Sequence, residues 1–362
     1  MRSEFGVAIV APLPPIKGGV AQHSSSMVGA FEDLGNRVTK VSWCRQYPAR
    51  LYPGDRVDKV NSSFHTLSWW NPVSWLSVRR LTANADLIVF PWFTPFNFWV
   101  LVVLVTRRRG RCVAIVHNVE THERVLFNPL IARLVLHGLS GYVTHSKAVA
   151  GELEALIGGR RIVTVAHPPN LKIEAHPFPP FPPIRLLFLG HLRPYKGIDV
   201  LIDAVSKLRL AGSNACLTVA GEDWGIGKGL MDRAETAGVA AYVDFQLGYV
   251  PDDDVDGLIA DHHILVQPYL TSSQSGVVPL AHEAGRPVVV TRTGGLDEAV
   301  EVGITGEVAL PGDPLSLAEA ITRATALLDN PMDPPTVSWR DVARAVLSFS
   351  VSDASERHRL EN

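Results

Sequence analysis

Cysteine is scarce. Cys44, Cys112 and Cys216 are all that 362 residues contain, far apart and without a C-x-x-C. That excludes a disulfide framework and a thiolate zinc site, and it fits a reducing compartment. A basic excess is missing too: 34 Lys and Arg face 36 Asp and Glu, a formal net charge of -2. The positive field of a nucleic-acid binder is therefore absent. No apolar run is long enough to span a bilayer. Phe96 to Val105 is strongly apolar and is followed by Arg107-Arg108-Arg109, yet it falls well short of the roughly 20 residues a span needs. A buried crossover helix fits it; an interfacial helix, which needs a polar face, is the alternative, so association at a membrane periphery stays open. Met1-Arg2-Ser3-Glu4 runs straight into a strand with no signal-peptide pattern, and a cytoplasmic location is expected. The first strand is not followed by G-x-G-x-x-G, which argues against a nicotinamide-type site there.

What is present is alternation of buried strands and helices. Hydrophobic residues make up 46% of the chain, ample for two Rossmann-sized cores. Phe5 to Ala11, Val38 to Trp43, Asp86 to Phe90, Cys112 to Val116 and Tyr142 to Lys147 read as strands of a first α/β domain. A helix from about Ala21 to Leu34 follows the first strand, and Ser146 is placed to cap another. Residues 45–80 read as turn-rich, with Trp69, Trp70 and Trp75 among them. The proline-dense segment 168–184 forbids helix and central strand and reads as a stiff linker. Strands at 186–189, 215–220, 242–245, 264–267 and 288–291 then build a second domain. Gly225 to Gly229 reads as a mobile loop and Asp252-Asp253-Asp254 as an exposed turn. Helices are expected from about Leu315 to Leu328 and Trp339 to Leu347, with a polar, frayed tail from Val351. The expected domains are 1–167, the linker 168–184, 185–338, and a C-terminal helix and tail 339–362.

The chain centres on residues 186–201. Leu186 to Leu189 is an apolar strand, Gly190 breaks it, and Ile198, Leu201, Ile202, Val205 and Leu208 fall at helical spacing. Arg193 and Lys196 stand at the turn, beside free helix N–H groups and their partial positive charge. That is how a phosphate site is built. The plainer reading is a strand–helix loop with two solvated bases. A second polar cluster, His117-Asn118-Val119-Glu120-Thr121-His122-Glu123, ends the strand Cys112 to Val116, where α/β folds place ligands. Its spacing is not the H-E-x-x-H of a zinc site, and no metal is expected.

G-H-L-R-P-Y-K-G-I-D-V-L-I-D-A at 190–204 resembles the phosphate-binding turn of the family-4 retaining glycosyltransferases. P-x-x-G-G-x-A-x-H at 15–23, V-H-N-V-x-x-H-E at 116–123 and Q-S-G at 274–276 resemble further motifs of that family or of one branch of it. The resemblance implies a GT-B fold, α/β, with two Rossmann-like parallel-sheet domains facing a cleft and a C-terminal helix crossing back to the first domain. It implies sugar transfer from a nucleotide diphosphate sugar to a hydroxyl acceptor, small, glycan or lipid-linked, with no cofactor beyond the donor. By the same resemblance Arg193 and Lys196 grip the diphosphate and His117 contacts the donor sugar. Gly18, Gly19, His23, Asn118, His122, Gly190, Gln274, Ser275, Gly276 and Glu298 are the other positions carried over. His23 can equally be an ordinary helix-surface residue.

Two departures stand out. The commoner family pattern has Arg directly after the glycine, where this chain has His191. Many members also carry two glutamates eight positions apart, and the matching positions here are Ser272 and Leu280. Glu283, three residues on and on the same helix face, can take the ribose-binding role or be a solvated surface carboxylate. The missing pair keeps a catalytically silent sugar-nucleotide-binding subunit in view, and a nucleotide-sugar epimerase of the same fold is a second rival.

Overall fold

The computed structural model describes residues 4–16, 18–45, 64–68, 71–93, 100, 111–119, 133, 135–137, 139–329 and 337–360. The chain divides into two compact units. Unit 1 is Met1–Ala166 with Val337–Asn362, and unit 2 is His167–Thr336.

Unit 1 opens with β1 (Gly6–Val10), α1 (Gly19–Asp33) and β2 (Arg37–Arg45). Then come β3 (His65–Ser68), α2 (Pro72–Leu81), β4 (Leu87–Trp92), β5 (Cys112–Val116), β6 (Gly141–Thr144), α3 (Lys147–Ile157) and β7 (Ile162–Thr164). The strands form one parallel seven-stranded sheet in the order β3-β2-β1-β4-β5-β6-β7. Strands β1, β4, β5 and β6 are buried along their whole length, as a parallel sheet covered on both faces requires. Ser146 caps α3 as its position suggests, accepting from Val149 N at 3.2 Å.

The described residues 64–68 and 71–80, in the stretch that reads as turn-rich, form regular structure. They hold β3 and α2, and α2 starts on an Asn-Pro pair: Asn71 Oδ1 accepts from Val73 N at 3.0 Å and Pro72 sits in the first turn. Trp75 Nε1 ties the helix to Ser68 O at 2.8 Å. Trp69, Trp70 and the apolar run Phe96 to Val105 lie outside the described residues, except for buried Val100.

Unit 2 contains β8 (Arg185–Leu189), α4 (Ile198–Leu210), β9 (Cys216–Gly221), α5 (Gly227–Thr236), β10 (Val243–Leu247) and α6 (Asp252–Ala260). It continues with β11 (Ile264–Gln267), α7 (Val277–Glu283), β12 (Val288–Thr291), β13 (Gly306–Ala309) and α8 (Pro314–Thr325). The parallel six-stranded sheet runs β10-β9-β8-β11-β12-β13. Strand order reverses between β8 and β11, which is where open α/β sheets hold ligands.

Two local readings change. Gly225 to Gly229 is not a free loop: α5 begins at Gly227, because Asp223 Oδ1 accepts from the N–H groups of Gly225, Ile226 and Gly227 at 2.9 Å each. Asp252 to Asp254 form the first turn of α6, where carboxylates favour the positive helix end. Residues 293–296 lead into a single short 3-10 turn, Asp297–Ala299.

The proline-rich segment 168–184 is counted with unit 2 and fastened to it. Buried Arg286 donates to the carbonyls of His176, Pro177 and Ala260 at 2.9, 2.9 and 3.0 Å and lies against the Phe178 ring. Ile173 and Ile184 enter the apolar core.

The last helix, α9 (Trp339–Leu360), returns to unit 1 and runs beyond Leu347, through residues expected to fray. Val342, Ala343, Val346 and Phe349 join Met27 and Phe31 of α1 in one buried cluster. Residue 141 is glycine for a packing reason: a Cβ there would lie 2.0 Å from the Phe349 ring.

Candidate functional site

In unit 2 the turn after β8 and the turn after β11 are built as one piece. Gly197 ends the short 3-10 turn Pro194–Lys196 at φ 64°, and a Cβ on it would meet Pro268 O at 2.1 Å. Glycine therefore satisfies both the left-handed backbone and the close approach. Leu270 N donates to Tyr195 O at 2.8 Å, and Gly295 N donates to Ser273 O at 3.2 Å. The segments 190–197, 267–276 and 293–298 thus share one end of the sheet.

The two cations of this site lie on aromatic faces. The Arg193 guanidinium sits 3.8 Å from the Trp224 ring centroid, and Lys196 Nζ sits 3.6 Å from that of Tyr269. Cations are attracted to ring faces, more so when partly desolvated. Burial and the neighbouring Arg193 charge push the Lys196 ammonium down to about 7. Burial also lowers His191; Glu222, 3.7 Å from its ring nitrogen, opposes that shift, and Arg193 and Lys196 reinforce it. His191 thus takes the place just after Gly190, and Arg193 is carried to its position by the Trp224 shelf.

Ser275 is buried; its Oγ lies 3.3 Å from Tyr269 Oη and accepts from Val277 N at 3.3 Å. Gly276 starts α7, with Asn170 so near that a Cβ would stand 3.4 Å from its amide nitrogen. Gln274 is half-buried beside them, and its carbonyl accepts from Ser272 Oγ at 2.9 Å. Gly190, Arg193, Lys196, Gln274, Ser275 and Gly276 are therefore brought together. Glu298 is exposed on its 3-10 turn. Glu283 is half-buried at the last residue of α7, about 9 Å along the axis from the Gly276 end. Leu280, at the position of the second family glutamate, is buried in the apolar core.

In unit 1 a separate group assembles. His23 is not a helix-surface residue; it is buried on α1 with its Nε2 2.8 Å from Nε2 of His145. His145 follows β6, and its Nδ1 lies 2.9 Å from Val165 O. His117, half-buried at the end of β5, meets the His23 ring edge to face at 4.6 Å. Trp339 of α9 packs on His23 from another side at 4.7 Å. Gly18 and Gly19 open α1, Gly18 at φ 119°, with open space where side chains would be. Asn118 is half-buried next to His117, and His122 lies outside the described residues.

Trp224, Tyr269, His145 and Trp339 were not singled out by sequence reasoning. Only His145 carried a signal, as a polar residue at the carboxyl end of a buried strand.

Residues 183–326 match the family profile described as "Glycosyl transferases group 1". The glycogen synthase of Mycobacterium tuberculosis is 35% identical over 156 residues, 41% of this chain and 35% of that protein. The chain thus spans about a third of that relative. Sucrose-phosphate synthase from Thermosynechococcus elongatus has a similar structure, with TM-score 0.71 at 15% identity over 99% of both chains. Anabaena HepE, solved in complex with UDP, gives TM-score 0.63 at 17% identity, covering 98% of this chain and 100% of that one. The fold is GT-B. No helix among the described residues is long and apolar enough to cross a membrane.

Proposed function

We propose that the protein is a retaining glycosyltransferase that moves a sugar from a nucleotide diphosphate sugar to a hydroxyl acceptor. The observation that carries this reading is the pair Arg193 and Lys196, held on aromatic shelves at the strand-order reversal of unit 2. Like charges so placed repel, and a diphosphate relieves the repulsion. Arg193 and Lys196 grip the donor diphosphate and stabilise the charge that builds on it as the sugar leaves. The backbone beside Ser275 and Gly276 adds donors. His117 of unit 1 contacts the donor sugar, and the leaving phosphate assists attack from the same face. Side chains and helix N–H groups meet the phosphate charge, so no divalent metal takes part. Glu283 serves the ribose in place of the missing glutamate.

The test has two stages. UDP, GDP and their sugars are screened by thermal shift, since a ligand of the folded state raises apparent stability. Any sugar nucleotide that binds is then assayed for release or transfer of its sugar. Binding with turnover supports the enzyme; binding without turnover by any acceptor tried would favour a silent subunit. That second reading has its own support, because the positions of the family glutamate pair, Ser272 and Leu280, are buried and carry no carboxylate.

A further inference from the structure

The hydrogen bond between His23 and His145 leaves little choice of protonation. A carbonyl oxygen only accepts, so Nδ1 of His145, 2.9 Å from Val165 O, carries the hydrogen. Nε2 of the uncharged His145 ring is then an acceptor, and Nε2 of His23, 2.8 Å away, is the donor. One further proton on the pair keeps a single hydrogen between the two Nε2 atoms; a second would set N–H against N–H. The bond is buried at both ends, where an unmet donor is expensive to leave. Val165, of the chain just after β7, thus dictates the tautomer of a ring on α1.

His23 cannot shift independently of this bond. Its ring is edge to face with His117 on one side, at 78° between planes, and with Trp339 on another, at 86°. His145 and His23 are buried, whereas His117 is half-buried, so His117 is the open end of a stack whose closed end is locked. Mere packing would ask only for a ring of the right size at residue 145. This arrangement asks for an acceptor at one ring position and a donor at another.

We propose that His145 is a positioning residue. By accepting the Nε2–H of His23 it fixes the ring on which His117 rests, and so the edge that His117 offers to a donor sugar. The inference rests on the role given to His117 above.

Long-range nitrogen–proton NMR correlation on histidine-labelled protein reads the tautomers without any substrate. His145 is expected protonated at Nδ1 and His23 at Nε2; the reverse at either ring overturns the lock. Two variants then separate positioning from packing, assayed with the sugar nucleotide found by thermal shift and with its free nucleoside diphosphate. His145→Phe keeps a ring and removes the acceptor; kcat is expected to fall about tenfold or more while KM and nucleotide affinity barely move, since a small misplacement near the chemistry is felt in the rate. His145→Gln puts an oxygen near the Nε2 position and is expected to recover most of the loss. Equal losses in the two variants, or full activity in His145→Phe, would refute positioning. If His145→Phe does not fold, His145→Asn, too short to reach His23, replaces it with the same expectation. Absence of turnover in the unaltered protein would instead sink the glycosyltransferase reading, with the tautomer result standing on its own.

Discussion

At the strand ends of unit 1 the chain gathers imidazoles, whereas at the strand ends of unit 2 it gathers an arginine and a lysine. The sheets are wound alike, each reversing its strand order beside its first strand. The difference lies in how each group is satisfied. Imidazoles can donate and accept, so His23 and His145 meet each other's needs and can be buried together. Ammonium and guanidinium groups only donate and repel one another. Arg193 and Lys196 therefore rest on Trp224 and Tyr269, with Lys196 lowered to about 7 by burial and its neighbour. One site pairs imidazoles with each other; the other rests two cations on aromatic faces.

The comparison breaks most sharply at Lys196. Lys196→Ala is expected to lower turnover by roughly a hundredfold or more, the scale of removing one preorganised charge-stabilising group. Steady-state kinetics check this, and activity within a few-fold of the unaltered protein would remove the diphosphate role. His117→Ala probes the other side. Sugar transfer should fall by about tenfold or more, as positioning losses do, while calorimetric affinity for the free nucleoside diphosphate stays unchanged. A loss of that affinity would contradict the division between the two groups.

A pH titration sharpens the contrast further. Free Lys196 loses its proton near pH 7, and a bound diphosphate raises its pKa and restores the proton. Below pH 7 the lysine is charged in both states and affinity is at its maximum. As pH rises above 7, affinity should weaken by up to about tenfold per unit until the bound-state pKa is reached. Proton uptake on binding, read by calorimetry in buffers of different ionisation heat, is the direct measure; Lys196→Arg should abolish it. The smallest effect is expected at Glu283. Glu283→Gln keeps an acceptor but removes the charge, so donor affinity should weaken several-fold, on the order of 1 kcal/mol for a charge-assisted hydrogen bond made neutral. An unchanged dissociation constant would return the ribose to backbone groups near Ser275.

Legibility in the sequence followed contiguity. The apolar strands, the proline-rich segment and the strand–turn–helix at 186–201 each lie in one stretch, so periodicity and breakers reveal them. The imidazole group draws on residues 23, 117, 145 and 339, and the aromatic shelves come from loops 31 and 73 residues downstream of their cations: Trp224 for Arg193, Tyr269 for Lys196. No local pattern announces such meetings. Helix α5 was hidden for a different reason: three glycines near its start read as a loop, and one carboxylate, Asp223, overrides them by collecting three backbone N–H groups. Glu298, carried over from a motif, lies exposed, and Glu283, offered in place of the missing motif glutamate, is half-buried at the last residue of α7; the sequence showed neither degree of burial.

Phe349 filling the space over Gly141 sets an order of events during synthesis. Unit 2 is contiguous and all of it leaves the ribosome before residue 337, whereas unit 1 lacks α9 until the residues after Thr336 have been made. The first-made unit is therefore the last to close. Until Val342, Ala343, Val346 and Phe349 arrive, β6 and α1 expose the apolar surface that these residues cover, and a nascent chain halted near residue 337 presents that surface to chaperones or to other chains.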